Sequence, residues 1–181
     1  VERYNRVDDA WSALVAGRPG ARELLDEALA VVLEHFWDDE LRMPYESYDV
    51  AWGDREEYRG GNASMHLVEV FLAASDATGD PQWRQRATDV CVRMMTAARE
   101  NSWRIPEHFD TTWQPLPDYN IDQPRHPFRP YGATPGHAFE WARLLLTLRA
   151  AHPAAPAWLD DAAVGLVETA RADAWDVERG G

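Results

Sequence analysis

Lysine is absent from this chain of 181 residues, and cysteine nearly so. All 18 basic residues are arginines, set against 31 Asp and Glu, for a formal net charge of −13. Such an acidic chain lacks the basic face that nucleic-acid phosphates require, so no nucleic-acid partner is expected. The same charge disfavours other anionic macromolecules and suits a neutral small substrate. Cys91 stands alone, so no internal disulfide can form; this fits a reducing compartment and an expected cytoplasmic location. Within its helical stripe Cys91 reads as a small buried apolar residue. No apolar run approaches the ~18 residues of a membrane span, and no membrane partner is expected. No basic segment leading into an apolar one marks a signal peptide, and the chain begins at Val1 rather than at a Met. A glycine-rich phosphate loop and a serine nucleophile elbow are also missing. His35, His108, His126 and His152 lack metal-ligand spacing and read as loop or surface residues.

What is present is a globular composition, 45% hydrophobic and 27% charged, within the size of one domain. Nine tryptophans stand out. Trp52, Trp103 and Trp113 fall in loops rather than helical stripes. Rings lining a concave surface can stack on the C–H faces of a sugar, and plain packing is the alternative for these three.

Apolar residues at helical spacing mark five helices. One runs from Ala21 to Phe36 after Pro19-Gly20. Another covers Ala63 to Ala77, with Asn62 as expected N-cap and Gly79 just past its end. Asp80-Pro81 opens a third, which carries Trp83, Cys91, Met94 and Met95. The fourth, Pro135 to Ala151, has Thr134 as expected N-cap. The fifth runs from about Pro156 to Ala174. The segment from Asp39 to Gly61 is irregular, with a short hairpin expected around Met43–Tyr48. Asn101 to Thr134 is a long, proline-rich loop whose aromatics argue against disorder. The pattern of helix pair, long loop, helix pair predicts an all-α fold of antiparallel hairpins packed side by side.

Two segments repeat one another. Asn62-Ala-Ser-Met-His66-Leu-Val-Glu69 and Thr134-Pro-Gly-His137-Ala-Phe-Glu140 each join a helix start to a His and a Glu three residues on, with an offset of 71 for both residues. Three apart on a helix, each His shares a face with its Glu. His137 falls in a first turn, where the helix dipole disfavours an imidazolium, so a ring tending to stay neutral and able to exchange protons near neutral pH is expected, with Glu140 on the same face able to oppose that effect and orient the ring. Glu69 reads equally well as a solvent or inter-helix contact. Di-metal carboxylate–histidine sites use the reverse order, Glu-x-x-His, with further paired Glu that are not evident here, so no metal is expected. Asp110, Asp118 and Asp122 in the long loop form no evident opposed pair for glycoside hydrolysis.

The stretch His126-Pro-Phe-Arg-Pro-Tyr-Gly-Ala-Thr-Pro-Gly-His137-Ala-Phe-Glu140-Trp-Ala-Arg-Leu-Leu-Leu146 closely resembles a signature of the N-acylglucosamine 2-epimerase superfamily. Arg59-Gly-Gly-Asn62-Ala-Ser-Met-His66-Leu-Val-Glu69 resembles its other central motif. The resemblance extends from about Ala21 to Gly181, and Trp141 after Glu140 is most similar to the mannose isomerase and sulfoquinovose isomerase branch. It implies an (α/α)6 toroid and a metal-independent, cofactor-free interconversion of aldose and ketose through an enediol. By the same resemblance, His137 is the acid/base and Glu140 supports it. Asn62 and His66 hold sugar hydroxyls, with Arg59 and Trp141 as further substrate-binding residues.

A complete family member is considerably longer and supplies a second catalytic His from its C-terminal half. Residues 1–181 are therefore expected to be a single partial domain, the central portion and roughly half of the toroid. Such a piece would be inactive alone and prone to self-association through its exposed half-barrel faces. Two other readings stand beside the isomerase: an N-acylglucosamine or aldose 2-epimerase, and a non-catalytic saccharide- or protein-binding helical module.

Overall fold

The computed structural model describes residues 4–180, with side chains from residue 9 onward. Among the described residues six helices pair into three hairpins. α1 (Tyr4–Val15) packs on α2 (Ala21–His35), α3 (Gly61–Thr78) on α4 (Pro81–Glu100), and α5 (Pro135–Ala151) on α6 (Trp158–Ala174). α3 touches α1 on one side and α5 on the other, and α4 touches α6. The hairpins therefore stand side by side, with the odd-numbered helices forming one layer. The two helices with the repeated His-x-x-Glu are neighbours in that layer.

α3 is the centre of the core. It buries residues around nearly its whole circumference, among them Met65, Leu67, Val68, Phe71 and Ala74. A helix apolar all round must be enclosed on all sides, and α1, α4 and α5 do this. The α3–α4 turn forms as its sequence requires. Gly79 takes the left-handed conformation with φ 72°, its N–H donating to the Ser75 carbonyl. The Asp80 carboxylate accepts the Gln82 N–H at 2.9 Å, and Pro81 follows at the first helical position. Cys91 is buried in α4, and burial pushes its thiol well above the ordinary range.

Three local expectations are corrected. α1 lies outside the five helices that the periodicity marks, although Ala10, Trp11 and Leu14 follow helical spacing. The hairpin at Met43 uses an earlier partner: β1 (Trp37–Asp38) pairs antiparallel with β2 (Met43–Pro44), while Tyr48 bridges separately to Arg55. α3 is not capped by Asn62. It begins at Gly61 because β3 (Arg59–Gly60) is laddered to β4 (His108–Phe109), and Gly60 takes the cap position in extended conformation. Space there is tight: a Cβ on Gly60 would lie 2.8 Å from Glu46 Oε2 and 3.2 Å from the Tyr58 ring.

The long loop 101–134 is a packed wall. Arg129 holds Glu56 through two bonds, at 2.7 and 2.9 Å, and lies 3.9 Å from the centre of the Tyr58 ring. His108 stacks on Tyr119 at 4.6 Å. The three loop tryptophans face protein rather than open space. Trp113 is buried 5.2 Å from Phe109, Trp52 stacks on His35 at 3.8 Å, and Trp103 lies over Gly165 of α6. All three make packing contacts; Trp113 is buried, while Trp52 and Trp103 are half-buried.

Candidate functional site

The two copies of His-x-x-Glu adopt different arrangements. On α3, His66 Nδ1–H donates to Glu69 Oε2 at 2.9 Å, within its own copy. Arg143 of α5 donates to the other oxygen of Glu69 at 2.5 Å. On α5, His137 turns away from its own copy. Its Nδ1–H donates to both oxygens of Glu107, at 2.9 and 3.0 Å, while Glu140 is exposed.

Glu107 comes from the long loop, just ahead of β4, and its side chain is only 4% exposed. Its placement follows from two backbone constraints. The Gly61 N–H donates to the Glu107 carbonyl at 2.9 Å, extending the β3–β4 ladder to the first residue of α3. The Thr134 N–H then donates to Glu107 Oε1 at 3.2 Å. Thr134 is the N-cap of α5, but its side chain makes no capping bond. The carboxylate of Glu107 thus serves the helix start and His137 together.

This pair opposes the expected effect of the helix start on the ring. The hydrogen bond to Glu107 raises the His137 pKa above the ordinary imidazole range, burial opposes it, and the charges of Glu107 and Glu140 add to the rise. Glu140 therefore acts on His137 through charge, and the orienting bond is made by Glu107. Sequence reasoning missed Glu107. The available signal was alternation: Ile105, Glu107 and Phe109 are spaced by two, and the two apolar residues are buried.

Beside this pair, His108 is buried, which favours its neutral form. Its Nε2–H donates to the Pro130 carbonyl at 2.8 Å, so Nδ1 accepts from the Tyr58 hydroxyl at 2.7 Å. Burial lowers the His108 pKa, and burial raises that of Tyr58. His108 is thus a structural pivot of the wall, buried within the loop where its sequence placed it.

The remaining predicted site residues divide into two groups. Asn62 and His66 are half-buried on α3, four apart and so on one face. Arg59 and Trp141 lie deeper. Arg59 is 3% exposed and donates to the carbonyls of Glu56 and Tyr58 at 2.6 and 2.8 Å. Trp141 is fully buried in the core, and its indole N–H has no acceptor. Both support the elements that carry His66 and His137. Among the described residues, no three His, Cys, Asp or Glu side chains gather as a metal site, and no helix is long and apolar enough to cross a membrane.

Comparison with known proteins agrees with the fold. A curated D-mannose isomerase from Thermobifida fusca is 52% identical over 172 residues, which are 93% of this chain and 42% of that protein. The chain therefore spans under half the length of this relative. A crystal structure of a D-mannose isomerase superposes with a TM-score of 0.89 at 32% identity, covering 99% of this chain and 46% of the other. The cellobiose 2-epimerase of Spirochaeta thermophila DSM 6192 shares the fold, with a TM-score of 0.74 at 16% identity over 94% of this chain and 43% of that one. The three hairpins form roughly half of the (α/α)6 toroid of these structures. With a sequence model of N-acylglucosamine 2-epimerase (GlcNAc 2-epimerase) matching residues 10–181, the chain belongs to the N-acylglucosamine 2-epimerase family.

Proposed function

We propose that the full-length protein is an aldose–ketose isomerase acting on mannose or a related hexose, with His137 as its acid/base. The observation that carries this reading is the His137–Glu107 pair. It leaves Nε2 as the free nitrogen of a ring whose basicity is raised by a buried carboxylate. The relatives named D-mannose isomerase supply the substrate class.

In this reading the neutral ring takes the proton from C2 of the open-chain aldose, the C2–H electron pair forms the C1=C2 bond of an enediol, and the carbonyl oxygen is protonated. Return of a proton to C1, with loss of the proton on O2, gives the ketose. His66 and Asn62, together on α3, hold sugar hydroxyls, and Glu140 adds negative charge beside His137. The protein works without a metal or cofactor, in the cytoplasm.

The test is incubation of the full-length protein with mannose and assay for fructose. Absence of ketose from mannose, lyxose and sulfoquinovose would sink the isomerase reading. A second reading, a 2-epimerase, is favoured by the description of the matching family. In deuterated water both reactions exchange the C2 proton, but only the isomerase accumulates ketose.

The chain by itself leaves apolar side chains exposed along α5 and α6, including Phe139, Leu146 and Val164. Self-association of residues 1–181 through these faces is the expected behaviour. A well-behaved 20.6 kDa monomer on size-exclusion chromatography would count against it.

A further inference from the structure

We propose that Glu107 is the positioning residue of His137, fixing its tautomer and aim so that Nε2 is the atom that exchanges protons. This rests on the isomerase reading only for the identity of the molecule that gives and takes the proton. The geometry stands without it. An ionised carboxylate can only accept hydrogen bonds, so with both Glu107 oxygens within 3.0 Å of Nδ1, the hydrogen sits on Nδ1. In the neutral ring the lone pair is then on Nε2.

Glu107 is held by the Thr134 N–H on one oxygen and by the Gly61 N–H on its carbonyl. The chain behind it is closed: a Cβ on Gly61 would lie 3.2 Å from the Pro106 carbonyl oxygen and 3.3 Å from Glu107 Oε2. His137 is itself in the first turn of α5, just after Thr134, whose N–H bonds the same carboxylate. When Nε2 takes a proton, the resulting imidazolium faces a buried negative charge that requires no rearrangement. The charged groups acting on the ring are Glu107 from the loop and Glu140 from its own helix, and Glu140 is exposed.

His66 lacks this device. Its carboxylate partner, Glu69, is 31% exposed and is shared with Arg143, which is 59% exposed. The repeated motif therefore contains one ring bonded to a buried carboxylate and one bonded to a partly exposed, shared carboxylate.

The first measurement uses the unmodified full-length protein labelled with nitrogen-15 histidine, with His137 assigned by the signal lost in His137→Gln. The expected result is a neutral ring protonated on Nδ1, with its titration midpoint above about 6.5. A neutral ring protonated on Nε2, or a midpoint at or below that value, overturns the proposal.

The second measurement compares kcat and KM for mannose across pH in wild type, Glu107→Gln and Glu107→Asp. Glu107→Gln should lower kcat about 10- to 100-fold with KM little changed, and move the acid limb of kcat to lower pH. Glu107→Asp should restore part of the loss. A lower kcat with an unmoved acid limb assigns Glu107 a merely structural part and overturns the proposal. If the wild type converts no sugar, the isomerase reading fails, and the tautomer measurement still decides the role of Glu107. The same measurement decides it if Glu107→Gln does not fold.

Discussion

Trp103 lies so close over Gly165 that a Cβ added to the glycine would sit 2.7 Å from two ring carbons. The indole cannot swing aside freely. Trp103 has φ 62°, and its backbone N–H is tied to the Ala98 carbonyl at 2.7 Å. Two effects compete in Gly165→Ala. Replacing a mid-helix glycine favours the helix by about 1 kcal/mol, whereas overpacking costs about 1–3 kcal/mol. The contact here is against ring atoms held by backbone, so the clash wins. Thermal melting should show Gly165→Ala less stable than wild type, and a raised midpoint would refute this account of the α6–loop contact.

The His137–Glu107 pair ties stability to pH. The folded-state pKa of His137 is raised, chiefly by its bond to Glu107. The pair's contribution is therefore fully present below the unfolded value of about 6.5, and is lost as pH rises through the higher folded value. The stability difference between wild type and His137→Gln should be largest at mildly acidic pH and shrink above that window. Denaturant midpoints measured from pH 5.5 to pH 9 give the comparison. A difference that grows with pH would reverse the sign and discard the argument.

Glu69 offers the contrasting case. Its partners His66 and Arg143 are both solvent-accessible, and exposed ion pairs contribute roughly 0–1 kcal/mol. Arg143→Ala should therefore change unfolding free energy by less than about 1 kcal/mol and less still at high salt. A larger effect, insensitive to salt, would mean that this bridge holds α3 to α5.

Arg129→Lys should not behave as a conservative change. Lysine loses the two parallel bonds to Glu56 and the planar contact over Tyr58. The expected cost is about 1–2 kcal/mol, with faster proteolytic cleavage within residues 101–134. The Arg129 bond also holds the Glu56 carboxyl below its usual range. That contribution is present above the unfolded carboxyl value of about 4.3 and is lost as pH falls through the lower folded value. Equal cleavage rates in the variant and wild type at neutral pH would show that the wall is held elsewhere.

How far the sequence was legible depended on whether a signal was local. The helices carrying Leu25, Met94, Leu145 and Leu166 announce themselves because burial on one face imposes a period. The Asp80-Pro81 start is equally readable, since cap and helix are adjacent. The first turn of α3 was misjudged at Asn62 because its position is dictated by strand pairing with residues nearly fifty positions away. For the same reason Glu140 was chosen to orient His137. Spacing on a helix showed only which residues share a face, while the residue that reaches the ring comes from another segment altogether. Motif resemblance found His137 and His66, but could not show that two similar phrases hold their rings differently.

The β3–β4 ladder pairs only Arg59 with Phe109 and Gly60 with His108. Side chains alternate along a strand, so sliding this ladder by one residue would turn Glu107 away from His137 and offer His108 in its place. Two pairs of residues thus decide whether a carboxylate or a second imidazole meets the ring. Additions at the α3–α4 turn, far from this register, should be absorbed. A single residue inserted between Gly61 and Asn62 would leave the ladder intact but rotate α3 by about 100° about its axis, carrying His66 off the shared face.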